Sequence, residues 1–524
     1  MAREANKSVK QELASIWSEL LRLEHVDVND EFFAVGGDSL LAIQFIEEAR
    51  QAGYNFTLKQ FYRSSTIAAL VEAYDTPTVE FDQSPVVGPV QIIPGQYRFL
   101  FVRETPDPNH WNVGGLFEVR KPVSTSVMHE AFRLVLTHHD ALRIRFGQTE
   151  QGWQQYNGDI DDKIPFAVED VSDLDQRQRS SMVERIASAL QVGFDLTEGS
   201  LVKCVFFDYG MGAGRLLIIA HHLVIDAIGW RILIEDLEYC MRSILEGKKV
   251  ILPPKTSSFM DWGKRLGGMA QDASLHKDLD YWISLNWQSA SKLPLDFPEG
   301  QNTNGSGDIV SVNISVKDTY RLSMMANGRY MRVDEVLLSA LVYALTTWSG
   351  GRVMPVELMK HGRGALFEDV DLSRTIGYFI THAPLLVDVE QPVTFEKVCG
   401  AVKEQMRNMP NGGISYDLLK YMCADEDIRG RLEALPKAEI LFNYIGQTDR
   451  FSVKERGEAI LSSVKEPIGP LQSPQGLRYH PLGVRAKIEI GRLNVVFVYS
   501  NNLHRRSTIE SIASLFEEAL KSYN

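Results

Sequence analysis

The chain has 524 residues, 44% hydrophobic and 23% charged, which excludes bulk disorder and supports about three folded units at roughly 100–200 residues each. Its 55 basic and 68 acidic residues leave a net charge of −13, which argues against a broad nucleic-acid surface. No apolar run approaches the roughly 18–20 residues of a membrane span, no signal-peptide core follows Met1, and Cys204, Cys240, Cys399 and Cys423 form neither a disulfide framework nor a metal knuckle.

In chain order, residues 1–74 read as a compact helical domain. Leu13, Ile16, Trp17 and Leu20 repeat at helical spacing, and Leu40, Ile43 and Ile46 begin a second pattern. Ser65-Thr66 introduces a third, with Ile67, Leu70 and Val71. Residues 75–90 change character: Pro77, Pro85 and Pro89, with Asp75, Glu80 and Asp82, predict a linker. A larger α/β module follows. Ser124 to Leu136 and Ile228 to Leu245 read as helices. Ala141–Phe146, Leu201–Phe207, Arg215–Ile219 and Leu493–Tyr499 read as strands. Ser507 to Glu510 reads as a capping box with Ser507 as N-cap. Prolines between about 255 and 300 divide the module into lobes, 91–270 and 271–524.

Two segments carry chemistry. Gly36-Gly37-Asp38-Ser39-Leu40 puts a serine at the exposed start of an apolar helix, where Gly37 permits a tight turn. The residues alone allow either a plain helix cap by Asp38 or Ser39, or a phosphodiester near free amide groups. His221-His222-Leu223-Val224-Ile225-Asp226 follows an apolar strand. Adjacent histidines on a strand face opposite ways, so one can enter a channel while the other supports the backbone. His222 suits general acid–base work, and Asp226 suits orienting the loop. A purely structural role for both remains compatible with the residues. Metal binding is not predicted, because no third ligand is evident.

Phe32 through Leu40 resembles the thiolation, or peptidyl-carrier, domain of nonribosomal peptide synthetases. The resemblance implies a small all-α four-helix domain with 4′-phosphopantetheine on Ser39, and with Gly37 and Asp38 as local support. The histidine segment resembles the HHxxxDG motif of the condensation-domain superfamily over about residues 89–524. That implies an α/β two-lobed, chloramphenicol-acetyltransferase-like domain around a tunnel, with His222 catalytic and Asp226 structural. Ala227 replaces the usual glycine, which is expected to restrict the loop. His138-His139-Asp140 is expected to be a structural segment.

His361-Gly362-Arg363, Asp371 to Phe379, Gly412 to Tyr416 and Phe442 to Gln447 together resemble the epimerization subtype. That resemblance implies inversion of an aminoacyl or peptidyl thioester at its α-carbon. Arg363, Asn443, Tyr444 and Tyr416 are candidates to polarise the thioester or donate hydrogen bonds. One departure stands out: Met359 occupies the position of the subtype's catalytic glutamate, and methionine transfers no proton. Glu357, two residues away on the same strand face, is a displaced substitute candidate. Amide formation of the condensation type and an inactive carrier-docking or gating module therefore stand as alternatives. The implied partners are an upstream adenylation domain, a phosphopantetheinyl transferase and a downstream condensation domain in a cytoplasmic assembly line. Neither a membrane nor a nucleic-acid partner is expected. No segment resembles an adenylation domain, so activation is expected elsewhere, with this chain a piece of a larger synthetase or a protein served in trans.

Overall fold

The computed structural model describes residues 2–21, 23–73, 80–103, 105–160, 163–211, 213–329, 331–389, 391–448 and 459–523. The expected linker residues Asp75 and Pro77 lie outside them.

Four helices form the N-terminal module: α1 (Ala2–Leu21), α2 (Ser39–Gln51), α3 (Leu58–Arg63) and α4 (Ile67–Glu72). Each of the last three starts at a side-chain cap, Asp38, Thr57 and Thr66 respectively, which satisfies amide groups the helix leaves free. Leu13, Trp17, Phe32, Phe45, Phe61 and Leu70 are buried in a common core, with Trp17 and Phe32 edge-to-face at 4.9 Å. Each such side chain contributes about 1.5–3 kcal/mol on burial. Leu40 and Ile43 leave this core and pack into that of the large module. Their face of α2 docks the helical module onto the rest of the chain.

The large module contains fourteen described strands. The first seven are β1 (Gly88–Val90), β2 (Asn112–Val119), β3 (Ile144–Thr149), β4 (Gly152–Asn157), β5 (Phe166–Asp170), β6 (Val202–Asp208) and β7 (Gly214–His221). The others are β8 (Gly307–Asn313), β9 (Val356–Lys360), β10 (Thr381–Leu385), β11 (Ile440–Gln447), β12 (Leu461–Val464), β13 (Leu482–Glu489) and β14 (Arg492–Ser500). One sheet has the order β12-β2-β7-β6-β5, a second β10-β9-β11-β13-β14-β8, and a small third β1-β4-β3. The first two are the frameworks of the two lobes. Strand β12, far along the chain, crosses to pair antiparallel with β2. A cut at residue 270 would therefore leave one strand of the first sheet with the second lobe.

Several local expectations shift. Ala141 to Arg143 form a 3-10 turn and the strand begins at Ile144, because Asp140 and Arg143 close the turn through an ion pair at 2.8 Å. The last helix, Arg506–Ser522, starts before Ser507, so Ser507 is not its N-cap. Glu510 pairs instead with Arg506 at 2.9 Å. Gly88 to Val90, assigned to the linker, form β1 against β4. Among the described residues, no helix is long and apolar enough to cross a membrane.

Candidate active site

The first sheet ends β7 at His221, and the chain turns at His222–Val224 before the helix Ala227–Leu245. The turn sends the two histidines apart. His221 is fully buried: its Nε2 contacts the Pro108 carbonyl at 2.9 Å, and burial pushes its pKa down to about 3. His222 is only partly buried. Its Nδ1 lies 2.7 Å from the Ile225 carbonyl and donates there, which leaves Nε2 as the nitrogen available to take a proton. Burial lowers its pKa, so the ring stays neutral at neutral pH. Trp111 stacks on the ring at 4.7 Å and Tyr378 meets it edge-on at 5.4 Å. Both aromatic walls lie far from His222 in sequence, and only the fold unites the three.

Asp226 fixes the turn. It caps the following helix by accepting from the Gly229 amide at 2.7 Å. Both its oxygens also accept from a single Arg363 nitrogen, Nη2, in an ion pair at 2.8 and 2.9 Å. Arg363 donates further to the carbonyls of Leu372 and Thr375, at 2.9 and 2.6 Å, and lies over the Phe379 ring. Both its terminal nitrogens are held by protein groups and the side chain is buried, so Arg363 is placed to brace the fold and not to polarise a thioester as expected. It ties the second lobe to the histidine turn. Gly362 permits this: its φ is +68°, and a Cβ there would lie 1.7 Å from the Phe379 carbonyl oxygen. Ala227 is an exposed first residue of an ordinary helix, so the expected restriction does not arise.

Glu357 is also committed elsewhere. Its carboxylate takes a bidentate ion pair from Arg98, at 2.7 and 2.6 Å, and contacts His480 Nε2 at 2.6 Å. Arg98 belongs to the first lobe, so this pair clamps the lobes together and holds the carboxyl well below the usual range. The geometry removes Glu357 as a substitute base. Met359, next on that face, contacts the Asn443 amide nitrogen through Sδ at 3.3 Å. Tyr444 lies at the β11 irregularity, partly buried, and feels the charge of Asp38. Tyr416 packs against Trp282, and its hydroxyl accepts from Lys420 at 3.3 Å. Tyr416 therefore has a packing role distinct from the histidine turn.

The carrier sits against the second lobe. Asp38 accepts from the amides of Leu40 and Leu41, each at 2.9 Å, and from the Gln447 amide at 3.1 Å. This burial pushes its pKa up to about 6. Gly37 is required in the turn, since a Cβ would lie 2.3 Å from the Phe32 ring. Ser39 follows, half-buried at the first turn of α2. Asn443 lies four residues upstream of Gln447 on β11, about 13 Å at roughly 3.3 Å per residue. A group on Ser39 thus starts at the seam between α2 and β11.

Other parts of α2 reinforce the seam. Glu47 accepts from Arg231 at 2.9 Å and from Arg374. Arg374 also donates to Asp236, whose other oxygen meets His139 at 2.7 Å. The His138-His139-Asp140 segment thus backs the carrier contact and is separate from the His222 turn. Arg50 pairs with Asp371, and Lys59 and Arg63 pair with Glu368 at 3.1 and 2.8 Å. Among the described residues no group of three His, Cys, Asp or Glu is arranged to hold a metal.

Comparison with known proteins agrees with this geometry. Residues 88–523 match the condensation domain, and residues 11–74 match the phosphopantetheine attachment site. The chain is 36% identical over 523 residues to a linear gramicidin synthase of Brevibacillus parabrevis, covering 99% of this chain and 10% of that protein. It is 29% identical over 513 residues to a surfactin synthase of Bacillus subtilis, covering 97% of this chain and 14% of that protein. The chain thus spans about a tenth of the length of the first of these relatives. Among solved structures, the epimerization domain from the third module of tyrocidine synthetase B aligns with TM-score 0.75 and 27% identity, covering 85% of this chain and 98% of that one. The X-domain from teicoplanin biosynthesis shares the fold at TM-score 0.66 and 17% identity, covering 85% of this chain and 98% of that one. The match over 11–74 indicates a covalently attached 4′-phosphopantetheine. The half-buried serine at a helix start capped by Asp38, which also contacts β11, fits that group.

Proposed function

We propose, from the premise that this chain belongs to the condensation-domain family and carries a phosphopantetheine attachment domain, that it epimerizes an aminoacyl or peptidyl thioester held on Ser39. One observation carries the reading: a neutral His222 whose Nδ1 is engaged at 2.7 Å and whose Nε2 is left for proton transfer, in a fold similar to a known epimerization domain at TM-score 0.75. The phosphopantetheine supplies a thioester, which acidifies the α-hydrogen of the acyl group. His222 Nε2 removes or returns that proton. Asp226 and Arg363 keep the turn in place and act only through it. Asn443 offers an amide beside Met359. Gly37 and Asp38 shape the start of α2 for modification of Ser39. Tyr444, near the same strand, stands as a wall of the arm's path.

A second reading has its own support. Met359 gives no second proton-transfer group where the epimerization subtype has glutamate. Amide formation by an amine attacking the thioester needs only one such group, so it is the alternative. The test is to load Ser39 with an L-aminoacyl-pantetheine in deuterium oxide and to follow chirality and α-deuterium. Inversion with deuterium uptake supports the proposal. No α-exchange on a fully loaded carrier overturns it, and an amide product on adding an amine-bearing carrier establishes the second reading.

A further inference from the structure

A row of side chains crosses four strands of the second sheet. Arg485 on β13 is in register with Asn443 on β11, Asn443 touches Met359 on β9, and Met359 is opposite His382 on β10. Residues on one register line of a sheet share a face. Leu482, Val484, Ala486 and Ile488 of β13 are buried on the other face. Arg485 therefore projects from the face on which Glu357 reaches across to Arg98 of the first lobe. It is an exposed residue on the side of the sheet that makes this contact with the first lobe. The surrounding protein nonetheless strips enough water to lower its pKa, and its charge is felt by His222.

Among the described residues, no carboxylate pairs with Arg485. The rest of its row is Asn443 and Met359, both uncharged, and His382, which burial holds neutral with a pKa of about 3. Other cations lie near. Arg478, which feels the charge of both Arg485 and Arg103, donates to the carbonyls of Tyr499 and Val498 at 3.0 and 2.9 Å. Arg103 lies 5.7 Å from the centre of the Trp111 ring, with its buried Nε lacking a partner. A chain with net charge −13 has thus gathered three arginines around the histidine's side of the cleft without a paired acid. Keeping a cation partly desolvated and unpaired is costly unless an anion arrives to meet it.

We propose that Arg485 receives a carboxylate on the acyl group itself, so that the cleft selects thioesters with an acidic side chain. The inference rests on the reading that this cleft holds the acyl thioester. A carboxylate side chain fits better than the charge that develops on the thioester oxygen. Stabilising the latter needs donors fixed in advance, and no hydrogen bond among the described residues fixes the Arg485 guanidinium. An exposed arginine with no hydrogen bond to a described residue instead suits a bidentate pair with a ligand carboxylate.

Binding tests this without turnover. Pantetheine amides of N-acetyl-L-glutamate and N-acetyl-L-glutamine, which differ only in charge, are titrated calorimetrically into the full chain carrying Ser39→Ala. The acidic analogue is expected to bind at least about tenfold tighter, in keeping with one charge-assisted pair. Arg485→Gln is expected to erase the difference and Arg485→Lys to keep part of it, with circular dichroism confirming that both fold. Equal binding of the two analogues to the parent chain would overturn the proposal, as would an undiminished preference in Arg485→Gln. Deuterium exchange on the loaded carrier is read separately. A glutamyl preference in binding with no α-exchange would leave Arg485 its role and remove only the epimerase reading.

Discussion

Glu47 offers the sharpest test of how the carrier is held. It is a buried carboxylate contributed by the carrier, and its partners Arg231 and Arg374 belong to the large module. Replacing it by glutamine keeps the shape and takes one carboxylate from each arginine, while Glu235 still pairs with Arg231 and Asp236 with Arg374. Leaving a buried charge wholly unpaired costs about 3–5 kcal/mol, and the retained carboxylates bring the cost here to about 1.5–3 kcal/mol. At about 1.4 kcal/mol per tenfold, the docking equilibrium should fall roughly ten- to a hundredfold. The covalent tether keeps the carrier nearby, so the variant should fold and simply undock more often. Amide hydrogen exchange reads this directly. The buried face of α2 and the helix Ala227–Leu245 should lose protection in Glu47→Gln, while the first sheet's β6 and β7 should not. The pair Glu47→Gln and Arg231→Gln should be less than additive, because the second change removes a cation that the first has already deprived of one of its two carboxylate partners. Unchanged protection in Glu47→Gln, or full additivity, would refute the idea that this carboxylate fastens the carrier.

Four further outcomes are expected. Burial lowers the His222 pKa, so the ring remains a neutral base as pH falls through the ordinary histidine range; the acid limb of the α-exchange profile should lie below about 6.5 and vanish in His222→Ala. Arg363→Gln should lower stability by about 3–5 kcal/mol, because Asp226 would stay buried without its partner; urea melts check this. Gly37→Ala should destabilise the carrier by about 1–3 kcal/mol through the Phe32 contact, seen as a lower melting midpoint for that module. Met359→Glu should raise the rate of inversion measured by chiral chromatography of the released acyl group, since it places an ionisable group beside Asn443.

The parts legible in the sequence were those with local signatures. Apolar periodicity marked the carrier helices, and strand alternation implied that the two adjacent histidines face opposite ways. The missing parts were matters of partner choice. Arg363 looks like a substrate-binding cation in sequence, and only its ion pair with Asp226, 137 residues away, shows that it braces the fold. Glu357 misleads for the same reason: Arg98, 259 residues away, claims it. Glu47 carries no local signal, because a helix glutamate is ordinarily a solvated residue and its partners lie 184 and 327 residues along the chain. Leu40 and Ile43 followed the helical period correctly, but periodicity does not say which core receives them. Arg485 carried no signal either, since strand alternation alone does not distinguish an open cleft from bulk water.

Strand β12 has a consequence for synthesis. Strand β2 lies next to the end of its sheet and gains its outer neighbour only from Leu461–Val464, which pairs back to Val119. On a ribosome, about 345 residues must be added between those partners. At roughly 5–20 residues per second, the bare backbone of β2 waits about 20–70 s for its cover. An unpaired edge is a template for wrong partners during that interval. A nascent first lobe is therefore the stage at which this protein most needs a chaperone, and slowing translation before residue 464 should lower the yield of folded protein more than slowing it afterwards.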